Sequence, residues 1–216
     1  MVPDHSLPET LPPEPMSLVA AWLAEATRRK DQPNPNAMVL ASCDDEGHPS
    51  ARVVLSKGIN VEAGTIRFVT NYESRKAQEL AINPRAALVM HWDHQHRQIR
   101  IEGIVQKASA ADSDEYFATR PRPSQLGAWA SAQSQPVASH DALLRQYEAV
   151  EARFAGTQAV PRPSNWGGYV LWADAVELWL QGSSRLHDRA LWRRHLDQHT
   201  GEIRSTGAWA ATRLQP

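Results

Sequence analysis

Between Ala37 and Lys107 the chain breaks into short apolar runs separated by turn-forming clusters. They are Ala37–Cys43 (A-M-V-L-A-S-C), Ser50–Lys57 (S-A-R-V-V-L-S-K), Thr65–Asn71 (T-I-R-F-V-T-N), Ala86–His91 and Gln98–Lys107. Runs of this length, bounded by Asp, Asn and Gly, predict β-strands, and the hairpin-length gaps predict antiparallel pairing. Further strands are expected over Tyr169–Leu180, over Arg189–His195 and from Ile203 onward, with a turn at Gln198–Glu202. Helical spacing is confined to a few stretches. Ser17–Arg29 carries an apolar stripe of Leu18, Val19, Trp22, Leu23 and Ala26, with Ser17 as the expected cap. A short helix follows Ser74 and stops at Asn83-Pro84. Asp112–Thr119 and Ser124–Ala132 flank a break at Arg120-Pro121-Arg122-Pro123. Ser139–Ala155 is capped by Ser139 and striped by Leu143, Leu144, Tyr147, Val150 and Phe154. About seven strands with peripheral helices predict a mainly β, closed or nearly closed antiparallel barrel, an arrangement that removes exposed strand edges.

Composition narrows the picture. A chain of 216 residues fits one domain, expected over 16–216. Five prolines and several acids in residues 1–15 suggest a flexible N-terminal arm, with neither the basic start nor the apolar run of a secretory signal. No run of about eighteen apolar residues exists, so no membrane span and a cytoplasmic location are expected. The net charge of −1 gives no bulk pull toward nucleic acid or anionic membrane, so any anion site must be local. Cys43 is the only cysteine, which leaves neither an intrachain disulfide nor a multi-cysteine metal site.

Local charge is informative. W-L-Q-G-S-S-R-L-H-D-R (Trp179–Arg189) follows a strand pattern and a Gly-Ser-Ser bend. If the chain re-enters a strand there, Arg185, His187 and Arg189 share one side, which suits an anion; a solvated edge strand is the plainer alternative. Arg75 and Lys76 open a helix after Thr70-Asn71, where basic residues are locally unfavourable and a phosphate is favoured. Arg52 and Lys57 have an odd spacing on one predicted strand, so they are expected on opposite faces. Arg120, Arg122 and Ser124 place phosphate-type donors on a proline-stiffened loop. His91, His94 and His96 read as an exposed hairpin tip rather than a metal site. No dinucleotide, P-loop, zincin or nucleophile-elbow pattern occurs, and several anion sites without a nucleophile suit a protein whose cofactor carries the chemistry.

Six segments in a fixed order resemble the pyridoxamine 5′-phosphate oxidase family. They are R-V-V-L-S-K (Arg52–Lys57), V-T-N-Y-E-S-R-K (Val69–Lys76), R-Q-I-R-I-E-G (Arg97–Gly103), Y-F-A-T-R-P-R-P-S-Q-L-G-A-W-A-S-A-Q-S (Tyr116–Ser134), R-L-H-D-R (Arg185–Arg189) and R-L-Q-P (Arg213–Pro216). The resemblance implies a homodimeric split barrel that binds FMN between subunits. It implies oxidation of pyridoxamine or pyridoxine 5′-phosphate to the aldehyde, with dioxygen reduced to hydrogen peroxide. It implies flavin contacts from Arg52, Val53, Val54, Leu55, Lys57, Val69, Thr70, Arg75, Lys76, Gln98, Gln133, Ser134, Trp179 and Arg189. Lys57, Tyr116, Arg120 and Ser124 would hold the substrate phosphate, with Arg185 and His187 against the reacting carbon. The chain departs from the family at Trp179-Leu180-Gln181-Gly182, where W-Q-G is usual, at Ser56, and in lacking an Arg-x-x-Tyr segment near the N-terminus. Two alternatives remain: a same-fold oxidase of an unphosphorylated aromatic, as in phenazine biosynthesis, and a flavin-binding barrel without turnover.

Overall fold

A computed structural model describes residues 6–199, 202–205 and 207–216. Its sheet follows from the turn chemistry between the apolar runs. The Asp44 carboxylate accepts the backbone N–H groups of Glu46 and His48, and Gly47 takes a positive φ of 83°. This tight turn pairs β1 (Ala37–Cys43) with β2 (Pro49–Leu55) in register from Ala37↔Leu55 to Cys43↔Pro49. On its other side β1 pairs with β5 (Arg85–Trp92), which returns through a 3-10 turn at Asp93–Gln95 as β6 (Arg97–Lys107). The three histidines lie on or beside that turn.

β7 (Trp166–Leu180) organises the rest. One edge pairs with β6 along most of its length. The other edge is shared: Trp166–Trp172 pairs with β4 (Thr65–Asn71), and Ala175–Leu180 pairs with β8 (Asp188–Arg193). The short β3 (Ile59–Asn60) lies on β4, and β11 (Ala210–Leu214) lies outside β8. The chain leaving β2 bonds back to β4, Lys57 N–H to the Arg67 carbonyl (2.7 Å) and Arg67 N–H to the Gly58 carbonyl (2.9 Å), which draws the sheet toward closure. The antiparallel barrel expected from the pattern is therefore the fold observed. Of the segment expected as a turn at Gln198–Glu202, residues 200–201 lie outside the described residues; on either side β9 (Leu196–His199) and β10 (Glu202–Ser205) pair as a separate antiparallel ribbon.

Alternation puts Leu40, Ile66, Phe68, Leu88, Met90, Ile99, Ile101, Leu171 and Leu178 inside, all essentially without solvent contact. α1 (Met16–Arg29) adds Met16, Val19, Trp22 and Ala26 to this core. Its cap is not Ser17: the Glu14 carboxylate accepts the N–H groups of Met16 and Ser17, so the helix starts one residue earlier. A second cluster of Phe117, Leu126, Phe154, Val160 and Trp166 sits under α3 (Ala110–Ala118), α4 (Arg122–Ala130) and α5 (His140–Arg153). Pro123 is tolerated because it falls in the first turn of α4, where its missing N–H costs nothing. Ser139 caps α5 as expected, but Leu144 of the expected stripe is exposed; the helix meets the second cluster through Tyr147 and Val150, with Phe154 just past its C-terminal end.

Of the expected arm, residues 1–5 lie outside the described residues. Residues 6–15 differ from a loose arm. Leu7 is 3% exposed in the main core, the Leu7 N–H bonds the Asp188 carboxylate (2.7 Å), and the Trp192 indole bonds the Pro12 carbonyl (2.9 Å). Prolines that remove backbone donors leave carbonyls free, and those carbonyls are what the sheet captures.

Gly103 of β6 sits opposite a β-bulge that leaves Asp174 of β7 unpaired in the β6–β7 ladder. The β6–β7 register shifts between Glu102 and Gly103, and a Cβ at Gly103 would meet the Trp172 carbonyl oxygen at 2.0 Å. Gly103→Ala is expected to cost at least about 2 kcal/mol in urea denaturation. Gly127→Ala, on α4 with open space around it, is expected to stabilise by about 0.5–1 kcal/mol. Equal effects of the two substitutions would contradict this placement of strain.

Candidate functional site

The site starts where β4 ends. The Asn71 side-chain carbonyl accepts the Glu73 N–H (2.7 Å), and the Ser74 hydroxyl donates to the Asn71 backbone carbonyl (2.7 Å). Ser74 thus stands at the N-cap of α2 (Arg75–Ile82) with extended backbone, but its hydroxyl turns back rather than capping the helix. That hydroxyl also receives the Lys76 ammonium (3.2 Å), which further donates to Thr70 Oγ1 (3.1 Å) and to Gln133 Oε1 (2.8 Å). Burial and the nearby Arg52 pull the Lys76 pKa down, and Glu79 opposes them.

Glu79 is the counterweight. Four residues past Arg75 and 4% exposed, its carboxylate accepts from Ser42 (2.6 Å), Ser50 (2.7 Å), Arg75 (2.8 Å) and Arg52 (3.1 Å). Burial pushes its carboxyl up, but the hydrogen bonds together outweigh burial and bring it down to about 2. Arg52 is further held by the Leu40 carbonyl and the Ser42 and Ser50 hydroxyls.

A cavity of about 540 Å³ opens over this corner. It collects Arg52, Val53, Val54, Leu55, Lys57, Val69, Thr70, Lys76, Tyr116, Arg120, Ser124 and Gln133, all expected site residues, with Asn71 and Trp166. Lys57 was expected on the face opposite Arg52. It reaches the same cavity because β2 ends at Leu55 and strand alternation no longer applies to it. Its ammonium lies 5.6 Å from the centroid of the Tyr116 ring, which stacks on Trp166. Arg120 lies over Trp166 (4.6 Å) and Phe117 (5.5 Å). Its Nη1 is buried without a hydrogen-bond partner, and burial lowers its pKa despite the opposing influence of Tyr116. A buried guanidinium with an unmet donor is a fit for an anionic oxygen. Val53, apolar and 66% exposed in mid-strand, offers a flat ring a contact surface. Arg75 and Ser134 border a neighbouring hollow with Arg52 and Lys76.

Five expected residues lie elsewhere. Gln98, Trp179 and Arg189 are direct cross-strand partners, one row running over β6, β7 and β8. In the next row the buried Glu177 accepts both Nε (2.9 Å) and Nη2 (2.7 Å) of Arg189 and pairs with Arg100 (2.7 Å). His187 packs on Trp179 with ring centroids 4.7 Å apart, and its Nδ1 accepts the Gly182 N–H (3.2 Å). Gly182 is required there, since a Cβ would meet the Leu186 carbonyl at 1.8 Å. The expected alternation through Arg185 fails. Ser183–Arg185 is a 3-10 turn, Arg185 has φ 67°, and β8 starts only at Asp188. Arg185 is exposed, and Leu186 is 73% exposed. Extended backbone advances by about 3.3 Å per residue, which puts Trp166, at the cavity, and Trp179 roughly 40 Å apart along β7.

Glu79, Glu177, Asn71 and Trp166 had not been singled out from the sequence. Glu79 carried a usable signal, an acid four residues past Arg75 on one helix face; the other three are placed by strand pairing alone.

Comparison with known proteins gives a consistent result. Residues 25–154 match the family described as pyridoxamine 5′-phosphate oxidase. Residues 166–216 match the pyridoxine 5′-phosphate oxidase C-terminal dimerisation region. The chain is 48% identical over 212 residues to a pyridoxine/pyridoxamine 5′-phosphate oxidase of Cupriavidus necator, covering 98% of this chain and 93% of that one. It is 43% identical over 203 residues to the protein of the same description from Anaplasma phagocytophilum, covering 94% and 93%. Among solved structures, PhzG from Burkholderia lata in complex with tetrahydrophenazine-1-carboxylic acid aligns over the whole of both chains, with TM-score 0.87 and 29% identity.

Glu79 ties the corner to pH. Its folded-state pKa of about 2 lies below the ordinary 4.5, so its stabilisation is complete above about pH 4.5 and is lost as pH falls through about 2. Glu79→Gln is expected to lower neutral-pH stability by roughly 2–3 kcal/mol and to flatten the loss of stability between pH 4.5 and 2. Urea midpoints measured across that range check it; parallel acid profiles for the two proteins would remove Glu79 from this role.

Proposed function

The chain belongs to the pyridoxamine 5′-phosphate oxidase family, and on that premise we propose that it oxidises pyridoxamine and pyridoxine 5′-phosphate to pyridoxal 5′-phosphate with FMN as its cofactor. FMN, when bound, would supply the hydride acceptor, with dioxygen as the final oxidant and hydrogen peroxide as the product. For the alcohol, the carbon gives up hydride and the hydroxyl its proton, and both end in hydrogen peroxide; for the amine, the imine formed in the same way takes up water and releases ammonia. One observation carries the substrate class: the unmet, buried Nη1 of Arg120 in a cavity shared with Lys57, Tyr116 and Ser124. Four phosphate-type donors in one cavity are more than an unphosphorylated aromatic needs.

Two copies of the chain build each site in this reading. Arg75, Lys76 and Arg52 hold the flavin phosphate, with Val53–Leu55, Val69 and Thr70 along the ring system and Gln133 and Ser134 closing over it. The partner brings the row Gln98–Trp179–Arg189, together with Arg185 and His187. The separation of the two sets along β7 supports this division. So does the dimerisation match, since it spans Trp179, Arg185, His187 and Arg189.

Placement is what the side chains contribute. Because His187 Nδ1 accepts the Gly182 N–H, the neutral ring carries its proton on Nε2. In that state Nε2 donates a hydrogen bond to the substrate's oxygen or nitrogen and cannot accept its proton. Arg185 adds a fixed positive charge beside the reacting carbon.

The test is direct. The purified protein is expected to be yellow and to release peroxide with both vitamin phosphates. Colour without peroxide would favour a carrier, and peroxide only from an unphosphorylated aromatic would favour the phenazine-type reading. Arg75→Ala is expected to weaken FMN binding by roughly 1.5–3 kcal/mol, read by flavin fluorescence titration. Arg185→Ala is expected to lower turnover with FMN still bound; unaltered kinetics would take Arg185 out of the site.

A further inference from the structure

R-L-H-D-R and the closing R-L-Q-P contain two charged residues, Asp188 and Arg213, with no place in the scheme above. We propose that Asp188 is a positioning residue that clasps the segments around Leu7 and Arg213 and thereby fixes His187 and Arg189 on either side of it. The inference rests on the site reading just given.

Asp188 opens β8, pairing with Leu180 across the sheet. One carboxylate oxygen accepts the Leu7 N–H (2.7 Å), and the other accepts Nη1 of Arg213. Arg213 in turn donates through Nη2 to the Pro8 carbonyl (2.7 Å), so its guanidinium bridges Asp188 and the N-terminal segment. Two residues on, the Gln215 carbonyl accepts Nη1 of Arg189 (2.9 Å). The C-terminal segment therefore touches Asp188 with a charge and Arg189 with a backbone oxygen. The N-terminal segment is itself anchored, by buried Leu7 and by Pro12 on Trp192.

The stretch that needs such an anchor is the one before it. Ser184 and Arg185 both hold positive φ, 53° and 67°, inside an irregular turn. Non-glycine residues in that region persist only when their surroundings hold them there. On one side the turn is fixed by Gly182, through its close approach to Leu186 and its bond to His187. On the other side the first regular pairing is that of Asp188. Loosening Asp188 frees one end of the turn that carries Arg185 and His187, while the phosphate donors on the cavity side stay untouched.

The experiment uses the FMN-loaded full-length protein carrying Asp188→Asn, which keeps the shape and an acceptor for the Leu7 N–H but loses the charge facing Arg213. Support is a fall in kcat of about tenfold with KM for pyridoxine phosphate within about twofold, since the phosphate is held elsewhere. It also requires faster hydrogen exchange of the peptide spanning 182–189 and partial recovery in Asp188→Glu. Arg213→Gln should reproduce the kcat loss, and the double variant should lose no more than either single one, because both act on one contact. Unchanged kcat in Asp188→Asn, equal changes in kcat and KM, or additive losses in the double variant would overturn the proposal. If Asp188→Asn does not fold, Arg213→Gln alone decides by the same split. A wild-type protein inactive on both vitamin phosphates would instead remove the site reading itself.

Discussion

Positive charges repel, and this fold gathers Arg52, Arg75 and Lys76 around one corner of a barrel. The buried Glu79 carboxylate is what permits it, accepting two of the three cations and two serine hydroxyls from β1 and β2. That one carboxylate joins β1, β2 and α2, so the same interaction that stabilises the sheet also aims Arg52 and Arg75. The sheet beside Trp179 repeats the device, with Glu177 under Arg100 and Arg189. In each case a charge removed from water is compensated by more than one partner, the condition under which a buried carboxylate stays ionised.

The geometry of β7 sets the larger plan. One strand of fifteen residues borders the cavity at Trp166 and carries the Trp179 row near its other end. A chain built this way presents two incomplete surfaces, and the proposed dimer unites them. The irregular turn between Gly182 and Asp188 belongs to the same plan. It interrupts the ladder at the residues, Arg185 and His187, that reach the neighbour in the proposed dimer.

Much of this was legible in the sequence. β1 and β4 begin and end where the apolar runs do, because a hairpin strand bounded by Asp, Asn or Gly has few alternatives. Ser139 caps α5 as its position suggests, and three of the six segments, Arg52–Lys57, Val69–Lys76 and Tyr116–Ser134, meet at one cavity. What was not legible depends on contacts distant in sequence. Glu14 displaces Ser17 as the cap of α1, a local competition that propensity alone does not rank. Lys57 joins Arg52 because the strand ends early, and Arg185 leaves the expected row because Gly182 and Leu186 approach too closely for a strand. Composition marked residues 6–15 as loose, yet their carbonyls and Leu7 meet partners about 180 residues away.

Subunit complementation tests the account most directly. An Arg120→Ala chain damages only the cavity half of the site, and an Arg185→Ala chain only the opposite half. Mixed after separate inactivation, the two should form mixed dimers with one intact site, recovering about a quarter of wild-type activity if assortment in the two-fold dimer is random. Activity no greater than the sum of the separate variants, in a sample shown to contain mixed dimers, would mean that each chain holds its whole site, and would contradict the account.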